Sequence, residues 1–177
     1  MRLAVAVMSL AVLVACDSEE SARVMFEGDL QFLSQPAGEW SAFEPAHSAS
    51  LKAVDLLGAP EVRDLGVSKG RLESVKLDMA VIKGGLRDGR FFEMGYESFL
   101  RRVELLAGKP GSSEQIKIGE AFVEPDEWTV EVHFDPLDVD IARLGSELEL
   151  SILVDGHAPS VDFPSGIYGY FDVTIAR

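Results

Sequence analysis

Strict alternation of apolar and polar residues, repeated in segment after segment, is the feature that most limits what this chain can become. Side chains repeating with period two belong to strands with one face buried and the other wet, whereas a helix requires a period near 3.6. Val24, Phe26, Gly28, Leu30 and Phe32 keep period two until Gln35-Pro36-Ala37-Gly38 breaks it. Val75, Leu77, Met79 and Val81 alternate with Lys76, Asp78 and Ala80, and Trp128, Val130, Val132 and Phe134 alternate with Thr129, Glu131 and His133. The same rhythm sets Leu148, Leu150, Ile152 and Val154 against Glu147, Glu149, Ser151 and Leu153, and Ile167, Gly169, Phe171, Val173 and Ile175 against Tyr168, Tyr170, Asp172 and Thr174. In each set the first-named residues are expected to face a core.

Shorter strands are predicted within 51–57, 98–106 and 116–123, bounded by clusters such as Gly108-Lys109-Pro110-Gly111 and Gly84-Gly85-Leu86-Arg87-Asp88-Gly89. About eight strands at this turn spacing predict an all-β fold, an antiparallel β-sandwich that is Ig-like or jelly-roll-like, with one or two short helical turns. The turns are expected at 61–65, after Pro60, and at 137–144, entered through Asp135-Pro136 and left at Gly145. The second is expected to cross between the sheets. Trp128, Phe134 and Phe171 are expected to bury about 150–250 Å² each.

Charge and cysteine content narrow the function classes. Asp and Glu number 30 against 16 Lys and Arg, a formal net charge of −14, which disfavours broad attraction to phosphate backbones or anionic lipid. No nucleic-acid partner is expected. The single cysteine, Cys16, can form neither an intramolecular disulfide nor a cysteine-based zinc cluster. Roughly 160 residues beyond the amino-terminal segment suffice to bury about 70% of the unfolded surface without cross-links.

That amino-terminal segment begins Met1-Arg2, continues with apolar residues from Leu3 to Val14 interrupted by Ser9, and reaches Ala15-Cys16 before Asp17, Ser18, Glu19 and Glu20. About a dozen apolar residues rise only ~18 Å as a helix, against a hydrocarbon core of ~30 Å, which suits a secretory leader and not a permanent span. Leu13-Val14-Ala15-Cys16 resembles the lipobox of bacterial lipoproteins. The resemblance covers the leader alone. It implies cleavage between Ala15 and Cys16, acylation of Cys16, and a membrane partner reached through that anchor; two or more acyl chains hold stably where one is marginal. Asp17 resembles the inner-membrane retention signal of some enterobacterial lipoproteins, a rule that does not extend to every lineage, so the leaflet stays open. The expected organisation is a signal peptide over 1–15, a lipidated acidic tether over 16–22, and one β-sandwich domain over 23–177, in the bacterial cell envelope and exposed to periplasm or cell surface.

Motifs for chemistry are sparse. His47, His133 and His157 have no metal-ligand spacing, and neither G-x-S-x-G nor a phosphate-cradling glycine loop occurs. Asp135, Asp138 and Asp140 place three carboxylates within six residues, a weak calcium candidate that lacks the EF-hand order; capping of a short helix explains them more simply. If the outward Glu131 and Glu149 are cross-strand neighbours, they are like charges on a solvated sheet face, the ordinary finding in an acidic protein. Tyr168 and Tyr170 share one strand face. If exposed they offer a surface for a sugar or a protein partner; if both sheet faces are covered they are core residues with satisfied hydroxyls. No cofactor is expected. The residues favour a non-catalytic cell-envelope module that binds an envelope protein, glycan or small ligand, or has a structural role. A carboxylate-dependent hydrolase and a carrier of an apolar ligand are the alternatives. Converging acids with a raised carboxylate pKa would mark the hydrolase, a lined apolar cavity the carrier, and a filled interior the module.

Overall fold

A computed structural model describes residues 19–33, 39–40, 53–66, 70–84, 95–125, 127–159 and 161–176. In chain order its strands are β1 (Glu19–Phe32), β2 (Glu39–Trp40), β3 (Val54–Asp55), β4 (Arg71–Gly84), β5 (Leu100–Gly108), β6 (Gln115–Phe122), β7 (Glu131–His133), β8 (Asp135–Pro136), β9 (Glu147–His157) and β10 (Phe163–Ala176). One α-helical turn, α1 (Pro60–Arg63), and two 3-10 turns at Tyr96–Ser98 and Ala142–Leu144 accompany them.

The strands form two antiparallel sheets, one ordered β1-β10-β4-β7 and the other β2-β9-β5-β6-β8, with β3 also paired to β9. The pairings nest: β1 with β10, β2 with β9, β4 with β7, and β5 with β6. This is one long antiparallel hairpin rolled up until β10 also meets β4 and β9 also meets β5. Such winding is the jelly-roll form of the sandwich, which decides between the two expected topologies.

β1 shows how directly the alternation becomes structure. Val24, Phe26, Leu30 and Phe32 are buried while Arg23, Met25, Glu27, Asp29 and Gln31 are exposed. β10 buries Ile167, Phe171, Val173 and Ile175 on the same inner side, and β9 buries Leu148, Leu150, Ile152 and Val154 from the facing sheet. Phe26 and Phe171 pack with ring centroids 5.0 Å apart. At one end of the sandwich, Tyr96 meets Phe163 at 5.0 Å and Phe99 at 5.8 Å, and Phe32 meets Phe99 at 5.5 Å. These edge-on and tilted contacts set ring edges against ring faces, which fills the space with favourable quadrupole geometry.

Several expectations are corrected. In β4 the register against β10 shifts between Tyr170 and Phe171, leaving Asp78 as an extra residue between Leu77 and Met79. A bulge of one residue inverts every side chain beyond it. Ala80 and Ile82 therefore join Val75 and Leu77 in the core cluster, and Met79 and Val81 lie on the other face beside Tyr170 and Tyr168, where Val81 is nonetheless fully buried, as expected of it. Trp128, expected inside, is 56% exposed: the segment's hydrogen bonds to β4 reach from Val130 to Phe134, and Trp128 lies before them. The helix expected over 137–144 is reduced to Ala142–Leu144, and Asp135 and Pro136 pair with Glu120 and Gly119 instead of starting it. Glu19 to Ala22, expected in the tether, are strand residues paired with Ala176 to Val173. The expected helical turn after Pro60 is present as α1.

Candidate functional site

The tyrosine face is built by three adjacent strands. Met25 of β1, Tyr170 of β10 and Met79 of β4 form one cross-strand row, and Glu27, Tyr168, Val81 and His133 form the next, reaching β7. Both tyrosines are half-buried on this outer face, so neither belongs to the core. Tyr170 is already engaged. The Arg23 guanidinium lies 4.8 Å from its ring centroid and pairs with the Asp78 carboxylate displaced by the bulge. A cation over an exposed ring contributes on the order of 0.5–1 kcal/mol, and this one joins β1, β10 and β4 through side chains. Lys83 and Glu131 approach to 2.5 Å at the far side of the face. The Lys83 ammonium, bonded to Glu131, has its pKa raised, and the Glu131 carboxyl is correspondingly lowered.

The three aspartates of the β8 region do not converge. Asp135 is a strand residue opposite Glu120, and Asp138 pairs with Lys76 at 2.5 Å. Asp140 Oδ1 accepts the backbone N–H of Ala142 at 2.9 Å and that of Val75 at 3.0 Å. Burial raises the pKa of the Asp140 carboxyl, but these two amides, with the Ser74 hydroxyl and Lys76, outweigh it and hold the value below the usual aspartate range. Its chemistry is that of a cap, tying the 3-10 turn to β4. Among the described residues no group of three or more His, Cys, Asp and Glu side chains is placed to hold a metal ion.

On the outer face of the facing sheet, Glu104 and Glu120 sit directly opposite each other on β5 and β6. Arg102 bonds Glu120 at 3.1 Å and Glu104 at 2.5 Å, and Lys117 reaches the same two at 3.0 and 3.4 Å. Lys117 and Arg102 hold the Glu120 carboxyl below its ordinary pKa, the reverse of what an acid catalyst needs. His133 is 67% exposed and 3.7 Å from Glu131, while His157 is exposed at the end of β9. Cys16, its neighbours Leu13, Val14 and Ala15, and His47 lie outside the described residues.

Sequence reasoning missed a groove beside β1, where Val24, Met25, Phe26 and Glu27 face β3 and the start of α1 across about 250 Å³. The alternating run from Val24 to Phe32 signals a long strand but not its place at a sheet edge, so nothing local in the sequence marked the groove.

The nested antiparallel pairings, closed over one core cluster of described residues, define a jelly-roll β-sandwich. No protein-family model matches the chain, and no curated protein matches it. Similar solved structures include the decameric BFDV capsid protein, with a TM-score of 0.43 and 7% identity over 90% of this chain and 99% of that one. The 60-mer BFDV capsid protein gives 0.39 and 9% over 92% and 96%, and Turnip Yellow Mosaic Virus at 100 K gives 0.29 and 10% over 90% and 96%. At such low scores the jelly-roll assignment rests on the strand order itself.

Proposed function

We propose that this chain is a lipid-anchored module of the bacterial cell envelope, whose jelly-roll domain binds a partner or serves a structural role and does not catalyse a reaction. The observation that carries the anchor is the lone Cys16, placed directly after an apolar stretch too short to span a bilayer and within Leu13-Val14-Ala15-Cys16. The non-catalytic reading is supported by how the acids are used. Glu104, Glu120, Glu131 and Asp138 are each ion-paired with a lysine or arginine, and Asp140 caps backbone amides. The core between the sheets is packed with side chains such as Phe26, Phe171, Leu105 and Ile152, which favours a module over an apolar-ligand carrier. Partners in this reading are the membrane, through the Cys16 acyl chains, and an envelope protein or glycan.

Expression of the full chain and of Cys16→Ser in a bacterial host tests the anchor. The parent protein is expected to incorporate labelled palmitate, to undergo globomycin-sensitive processing and to partition with detergent, while Cys16→Ser loses all three and keeps the same circular dichroism. Palmitate labelling that persists in the variant refutes the reading.

A further inference from the structure

Among the described residues the edges of the two sheets are closed unevenly. One end of the first sheet finishes in the three-residue β7, and the second sheet finishes in the two-residue segments β2, β3 and β8. β1 is fourteen residues long, pairs with β10 along one side, and has no strand paired to its other side among the described residues. Between Val24 and Glu27 this edge, unpaired among the described residues, is one wall of the groove whose other wall is β3 and α1. Glu27, Asp55 and Glu61 all line it, and none of its described lining residues is Lys or Arg. Glu61 Oε2 is buried without a hydrogen-bond donor among the described residues, and Met25 is 44% exposed on the rim.

We propose that this groove receives an extended, basic segment of a partner protein, added to β1 as a further strand of its sheet. A free strand edge offers alternating N–H and C=O groups, whose natural complement is another extended backbone. Lysine or arginine side chains on the incoming segment would meet the three carboxylates that line the groove. Charge also selects the occupant. A second copy of the chain would bring another −14 to the same edge, whereas a cationic segment is attracted to it. The inference needs only β1, β3 and α1 and stands apart from the lipid anchor.

The test titrates a labelled, end-capped octapeptide of alternating Lys and Val into the full-length protein. Matched probes carry Glu in place of Lys, or the same Lys-Val sequence with every backbone nitrogen methylated. The Lys-Val peptide is expected to bind and to slow amide exchange within Val24 to Gln31. Methylation is expected to weaken binding at least tenfold, and the double variant Glu27→Gln/Glu61→Gln at least fivefold. Equal binding by the methylated peptide would mean general attraction to an acidic surface and would overturn the proposal. So would failure of the parent peptide to bind, unchanged exchange in β1, or sedimentation as a dimer whose β1 amides are protected before any peptide is added.

Discussion

The Tyr96 hydroxyl donates to Ser165 Oγ at 2.7 Å, a bond between side chains 69 residues apart with Tyr96 fully buried and Ser165 nearly so. It joins the 3-10 turn before β5 to the start of β10, inside the cluster of Phe32, Phe99 and Phe163. Burial raises the Tyr96 pKa and the hydrogen bond only partly offsets this, so the phenol stays protonated and available as a donor. Tyr96→Phe keeps the ring and strands the Ser165 hydroxyl. The expected cost is about 1–3 kcal/mol in urea unfolding at unchanged m-value, and Tyr96→Phe/Ser165→Ala should recover part of it.

Asp140 gives a pH signature. Its folded pKa is depressed, so the stability it contributes is fully present above the ordinary aspartate value and is lost as pH falls through the lower folded value. Asp140→Ala is therefore expected to cost about 1 kcal/mol near neutrality, typical of a lost cap. The gap between parent and variant should close as pH drops below about 4. Denaturant midpoints measured from pH 7 to pH 2 check this; a gap that widens toward acid would be the wrong sign.

Gly169 has no room for a side chain. A methyl group there would lie 2.4 Å from the Met79 carbonyl oxygen and 2.5 Å from the Phe26 ring. Gly169 sits between Phe26 and Ala80 in the middle of its sheet, so the Phe26 ring occupies the space that the missing side chain leaves. Gly169→Ala is expected to destabilise by about 1–3 kcal/mol through overpacking, read as a lower midpoint in thermal or urea unfolding.

Trp128 and Phe134 lie in one predicted strand yet should behave oppositely. Phe134 is 4% exposed and Trp128 is 56% exposed. Phe134→Ala is expected to cost about 3–5 kcal/mol and Trp128→Ala to stay within about 0.5 kcal/mol. Equal losses in urea unfolding would place the tryptophan back in the core.

Much of the fold was legible because period two is a local signal. In β1, β9 and β10 the alternation runs unbroken through the buried stretch, and each inward residue named from it is in the core apart from Gly28, which is partly exposed. The site was harder to read. Tyr168 and Tyr170 could be assigned to one face but not to an environment, since that depends on whether a second layer covers the sheet. The β1 groove joins residues from two segments about thirty positions apart, with nothing in either that names the other.

The amino-acid pattern alone determined that the chain makes antiparallel strands, which residues of β1, β9 and β10 turn inward, and that the three aspartates lack the order of a calcium loop. Tertiary structure decided the rest: the nested jelly-roll winding, the bulge at Asp78, the exposure of Trp128, and the edge position of β1. The division follows from range. Alternation is set by successive Cβ directions along one strand, whereas register, bulges and edges are set by pairing with strands as distant as β1 is from β10.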